Sequence, residues 1–250
     1  MRFPALCLLT LAAVAADPVN AQFAERGPDG GTTTHITGVE LLAIKNAPLM
    51  GKSQITWTRA LEDGSTVSTV SEANLARDSQ GRMYRELVSR VPLNSAEKSR
   101  LNEFTILDPV TKTRTVCKVR TRECLRGDYH PVISFRARPT GSFDGGKRYL
   151  ERQNLGTQLV NGMDTVGTLE TLTTYPGVVG NDRALVSTHE FWYSGQLQTN
   201  VKVIRKDPTE GTQVVNLIDL STSEPDPRTF AIPSNYVVHD ERTPSRVAPR

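Results

Sequence analysis

The residue types best suited to chemistry are few and scattered. The chain of 250 residues holds three cysteines and four histidines. His189-Glu190-Phe191-Trp192-Tyr193 begins like a zinc-binding helix, but no second histidine follows four residues on and the alternation is that of a strand, so no metal site is expected there. His35, His130, His189 and His239 are too dispersed to suggest a ligand set. No Gly-x-Ser-x-Gly elbow is present, and Gly162, Gly167 and Gly177 are not spaced as a phosphate loop. Glu170 and Glu190 could serve as a carboxylate pair, yet nothing in their spacing predicts that they converge. No catalytic residue, metal or cofactor is expected, and a hydrolase stands last among the readings below.

The cysteines carry more information. Met1–Arg2 is a short positive region, Phe3 to Ala16 is apolar, and Val19-Asn20-Ala21 fits a small-x-small cleavage site. This pattern predicts a signal peptide over residues 1–21 with Gln22 as the mature N-terminus, and a periplasmic or secreted address. Cys7 sits inside the apolar stretch and not just after it, so no lipid anchor is expected. Cleavage leaves Cys117 and Cys124, flanking a stretch that reads as a hairpin tip. In an oxidising compartment two such residues are expected to pair. Their spacing is not the Cys-x-x-Cys of a redox pair, and His130 alone does not complete a zinc set. A structural staple worth about 2–3 kcal/mol is expected.

The elements that must position these residues are strands. Threonine occurs 28 times, favouring pleated, half-buried surfaces. Gln54–Leu61 alternates, Asp63-Gly64 offers a turn, and Ser65–Ala73 returns. Asp78-Ser79-Gln80-Gly81 leads into Arg82–Val91. Asn161-Gly162 separates Leu155–Val160 from Met163–Thr174. Leu185–Tyr193, Leu197–Lys206, Thr212–Leu220 and Phe230–Val238 follow, and Asn94–Phe104 could hold one short helix. This spacing predicts a mainly β protein, α+β at most: one large, strongly curved antiparallel sheet or unclosed barrel with few short helices. The expected layout is a flexible leader over 22–36, a single domain over 37–239 with a long loop at about 126–147, and a disordered tail over 240–250.

Net charge is +3, but residues 112–152 hold eleven basic and four acidic side chains, a local excess of +7. Arg114, Lys118, Arg120, Arg122 and Arg126 form its basic patch. They could meet an anionic lipid headgroup, a membrane surface, a polysaccharide or an acidic protein, or merely protect sheet edges. The expected compartment argues against nucleic acid. Phe191, Trp192 and Tyr193 are consecutive on a strand and so point to alternate faces. Both faces must then be covered, or one must line a cavity.

Glu190-Phe191-Trp192-Tyr193-Ser194, the turn at Asp207-Pro208, the segment Pro225-Asp226-Pro227-Arg228-Thr229-Phe230-Ala231-Ile232-Pro233, and Tyr236-Val237-Val238 resemble the closing strands of periplasmic proteins with a lipoprotein-carrier (LolA-like) fold. Ala76 to Arg82 and Leu107-Asp108-Pro109 resemble a related group of uncharacterised secreted bacterial proteins. The resemblance implies a highly curved, unclosed antiparallel barrel whose concave side can hold acyl chains. The chain departs from that pattern in its scarcity of helices, its cysteine hairpin and its basic stretch. The leading reading is a non-enzymatic binding protein with an apolar cleft lined by Trp57, Leu61, Phe191, Trp192 and Tyr193, taking a lipid or an acylated protein. The alternative is an envelope structural or interaction module with no small ligand.

Overall fold

The computed structural model describes residues 26–31 and 36–242. The expected signal peptide, His35 and residues 243–250 of the expected tail lie outside the described residues. In chain order the strands are β1 (Asp29–Gly31), β2 (Ile36–Val39), β3 (Leu49–Ala60), β4 (Thr66–Arg77), β5 (Met83–Val88), β6 (Val91–Pro92), β7 (Leu101–Asp108) and β8 (Thr113–Lys118). There follow β9 (Glu123–Asp128), β10 (Gly141–Phe143), β11 (Arg148–Val160), β12 (Met163–Thr174), β13 (Leu185–Ser194), β14 (Thr199–Asp207), β15 (Gly211–Ser221) and β16 (Val237–Asp240). Among the described residues the one helical element is a single 3-10 turn, Pro227–Phe230, capped by Asp226.

Fourteen strands form one sheet in the order β10-β11-β12-β13-β14-β15-β3-β4-β5-β7-β8-β9-β16, with β6 beside β4. Two meanders, β3 to β9 and β10 to β15, are joined along the antiparallel pair β15–β3. β16 runs parallel to β9, so the sheet is mixed at that edge. β1 and β2 pair with each other in a separate ribbon. The core shows why the sheet curls. β12 and β7 stand seven places apart along the path, about 33 Å in a flat sheet. Yet Met163 of β12 and Leu107 of β7 share one packed cluster with Leu49, Leu75, Trp192 and Leu217. The path begins at β10 and ends at β16 without meeting itself, so the sheet is not closed.

Local chemistry sets the turns. Asp63 Oδ1 accepts from the Ser65 amide at 2.9 Å. Asp78 Oδ1 accepts from the amides of Gln80 and Arg82 at 3.0 and 2.8 Å. Asn161 and Gly162 take φ of 50° and 79°, the positive values a two-residue hairpin turn requires. The helix expected over 94–104 does not form. Ser95 Oγ accepts from the Glu97 amide in a local turn, and Arg100 bonds to Ser89. From Leu101 the chain is β7, because Phe104 and Ile106 are buried on one face while Thr105 and Leu107 are buried on the other. A strand covered on both sides satisfies that pattern, and a one-sided helix does not. The strand expected over Phe230–Val238 is also corrected. Its first part crosses the outer face of the sheet, and pairing begins only at Val237.

That crossing segment seals the cysteines. Cys117 and Cys124 are register partners on β8 and β9 and form a disulfide, Cα–Cα 4.0 Å. Both are buried beside Phe104 and Ile106, with Phe230, Ile232 and Tyr236 packed over them. Serine at both positions should lower stability by about 2–3 kcal/mol through lost chain constraint. Urea denaturation of the variant against the oxidised protein measures it, and an unchanged midpoint would contradict the staple.

Candidate functional site

Register pairing places Thr168, Phe191, Val203, Val215 and Ile55 in one row across β12, β13, β14, β15 and β3. One step along the strands lies a second row on the same face: Arg152, Glu170, His189, Arg205, Gln213 and Trp57. The inner face thus carries an apolar row beside a polar one. Glu170, Arg205 and Gln213 are buried, so the polar row needs partners.

The chain's own N-terminal segment supplies them. Arg26 Nε and Nη2 donate to the two Glu170 carboxylate oxygens at 3.0 and 3.1 Å. Arg152 donates to Glu170 Oε1 from Nε at 2.9 Å. Asp29 lies 3.5 Å from His189 Nδ1. The Gln213 amide accepts from the Ile36 N–H at 2.9 Å and donates to the Ile36 carbonyl at 3.4 Å. The Arg26 guanidinium stands 4.2 Å over the Phe191 ring and 5.1 Å from that of Phe135. Burial pushes the Arg205 guanidinium pKa down, against the upward pull of Asp207, Asp29 and Glu210. Residues 26–31, within the expected leader, therefore form part of a strap over the inner face.

The strap continues past β2 to Ala47, and Arg77 fastens it. This fully buried guanidinium donates to the carbonyls of Ala47 at 2.8 Å, Leu42 at 3.2 Å and Leu197 at 2.5 Å. It ties the strap to the β13–β14 turn. Burial lowers its pKa to about 10, so it is charged at neutral pH.

Beside the strap, over β4, β5 and β7, the inner face is not filled. A cleft of about 290 Å³ lies between Thr37–Leu41 of the strap and Leu75, Met83, Leu87, Thr105 and Leu107 of the sheet. That is near the low end of small-molecule sites, ~300–1,000 Å³. Arg85, Glu103 and Arg114 also line it. Arg85 is ion-paired with Glu40 at 3.0 Å. Glu103 sits opposite Lys118 in the register of β7 and β8. Arg114 is exposed and has no ion pair among the described residues. Gly38 faces the cleft, and a Cβ added there would meet nothing within 4 Å.

The structure does not bring the aromatic residues expected to line a cleft into one opening. Phe191 is fully buried under Arg26. Trp192 lies in the main core and donates from Nε1 to Glu190 at 2.6 Å. Tyr193 is half-buried at the bulge between β13 and β14. Trp57 Nε1 donates to the Glu210 carbonyl at 2.6 Å, and its ring lies 4.7 Å from the Arg90 guanidinium. Leu61 is exposed at the β3–β4 turn. The basic residues divide between the two faces of the β8–β9 hairpin. Arg114 lines the inner cleft, while Arg126 reaches Thr115 and Asp240. Lys118, Arg120 and Arg122 are exposed toward the tip. Sequence reasoning missed Arg26, Arg77, Asn200 and Gln213. Among them only Arg77, an arginine amid the apolar residues of a strand end, carried a usable signal.

No protein-family profile and no curated protein sequence matches the chain. Solved structures do resemble it. An uncharacterized conserved protein from Thermus thermophilus aligns over 78% of this chain and 90% of its own, at 11% identity and a TM-score of 0.39. MucB aligns over 78% of this chain at 13% identity and a TM-score of 0.38, and this chain spans 61% of that MucB chain. A LolA superfamily protein from Nitrosomonas europaea aligns over 76% of this chain and 92% of its own, at 11% identity and a TM-score of 0.29. At these identities and TM-scores the similarities say nothing of family or role.

Proposed function

We propose that this chain is a non-enzymatic binding protein of the bacterial envelope that takes one apolar chain of an amphipathic, anionic ligand into the inner cleft. The cleft itself carries the reading. Leu41 of the strap and Leu75, Met83 and Leu107 of the sheet give it an apolar lining, and the exposed Arg114 also lines it. Arg85 is paired to Glu40, Glu103 faces Lys118 in the register, and Glu86, which also lines the cleft, accepts from Asn74 and Tyr84, so Arg114 is the lining cation left to a headgroup. Lipids and acylated peptides share this chemistry of an apolar tail beside an acidic group. The expected signal peptide supports the compartment, and the exposed cations of the cysteine hairpin suit an anionic surface.

Titration with a fluorescent long-chain fatty acid tests the reading. The wild-type protein should bind it saturably at one site. Gly38→Trp is chosen to fill the cleft, because Gly38 lines it and a Cβ there would meet nothing within 4 Å. It should weaken binding at least tenfold, about 1.4 kcal/mol. Equal affinities for the two proteins would contradict the site.

A further inference from the structure

We infer that the inner face over β12 to β15 is also a polypeptide groove, built to take an extended foreign segment bearing arginine. Residues 26–31 and 36–39 lie over it in cis. The side chains that carry it, Asn200, Gln213 and Glu170, do not line the ligand cleft, although Gly30 and Thr37–Val39 of the strap border both. Two buried carboxamides carry it. Asn200 Oδ1 accepts from the Gly27 N–H at 3.1 Å, and its Nδ2 donates to the carbonyls of Gly27 at 3.1 Å and Pro28 at 3.3 Å. Gln213 engages both backbone groups of Ile36 in the same way. Both side chains belong to residues 3% exposed. A carboxamide that takes the N–H and C=O of a single residue does what a neighbouring strand would do, and it reads backbone without reading side chains.

Sequence selectivity comes from the pocket beside Asn200. Glu170 offers both oxygens to Arg26, and the rings of Phe191 and Phe135 stand 4.2 and 5.1 Å from its guanidinium. A bidentate carboxylate with aromatic faces suits guanidinium better than an ammonium group. The following position is tight, since a Cβ on Gly27 would lie 3.3 Å from Asn200 Nδ2. The preferred segment is therefore arginine followed by glycine. The strap is also separable from the scaffold. β1 and β2 pair with each other and not with the fourteen-stranded sheet, so a competing segment need not break a sheet ladder. Tethering gives the cis segment a millimolar effective concentration, which masks the groove in the wild-type protein.

The test uses the full chain with Arg26→Ala and a labelled peptide of residues 24–40, read by fluorescence anisotropy. The variant should bind the peptide at least tenfold more tightly than the wild type does. A peptide with citrulline in place of arginine should lose at least tenfold on the same variant. This control leaves the protein unchanged, so misfolding cannot produce it. Equal peptide affinity for variant and wild type, or indifference to citrulline, would overturn the inference. A concentration-dependent dimer that excludes the free peptide would also overturn it, by placing a second copy's strap in the groove.

Discussion

Replacing Arg77 with methionine should lower the stability of the protein by about 2–4 kcal/mol. The arginine meets three carbonyls on two separate segments, those of Leu42, Ala47 and Leu197. A buried acceptor deprived of its donor costs roughly 1–3 kcal/mol, so three of them outweigh what is recovered by removing a desolvated charge. The recovery is real, because burial has drawn the Arg77 pKa down to about 10. Methionine keeps much of the apolar stem, which confines the effect to hydrogen bonding and charge. Urea unfolding should show a lower midpoint with an unchanged slope. A loss under about 1 kcal/mol would mean that the strap is held elsewhere.

Phe191→Ala should cost about 3–5 kcal/mol, the usual range for emptying a packed aromatic site. Phe191 has no exposed surface and packs with Ile36, Ile55, Val203 and Val215. Phe191→Leu, nearer in volume, should cost under about 1.5 kcal/mol plus the lost ring contact with Arg26. The pair separates two roles for this residue. A ligand-lining phenylalanine would change fatty-acid affinity with little effect on stability. A core phenylalanine beneath the strap should do the reverse. Thermal unfolding and the fatty-acid titration, run on both variants, measure the two quantities side by side.

Much of the fold was legible because its signals are local. Alternation marked Gln54–Leu61 and Met163–Thr174, and Asp63-Gly64 and Asn161-Gly162 marked turns, since positive φ suits few residue types. The disulfide was legible from the expected compartment and the spacing. The short helix at 94–104 misled because Asn94, Ser95 and Glu97 form a good helix start, while the competing force, burial of β7 on both faces, comes from distant strands. The parallel pairing of β16 with β9 was hidden for the same reason. The inner face was the least legible part. Arg26 and Glu170 are 144 positions apart, and Gly27 and Asn200 are 173 apart. An arginine in a glycine-rich leader shows no sign locally that a carboxylate awaits it. The aromatic run 191–193 was a true sign of two covered faces, but what covers Phe191 is the chain itself.

Ligand binding in the inner cleft is best tested by native mass spectrometry of the protein purified without detergent from the cells that make it, beside Gly38→Trp treated identically. The wild-type protein should carry one adduct in the mass range of an acylated molecule, and the variant should carry none. A bare wild-type protein that also fails to take up added fatty acid would show that the cleft is not a binding site.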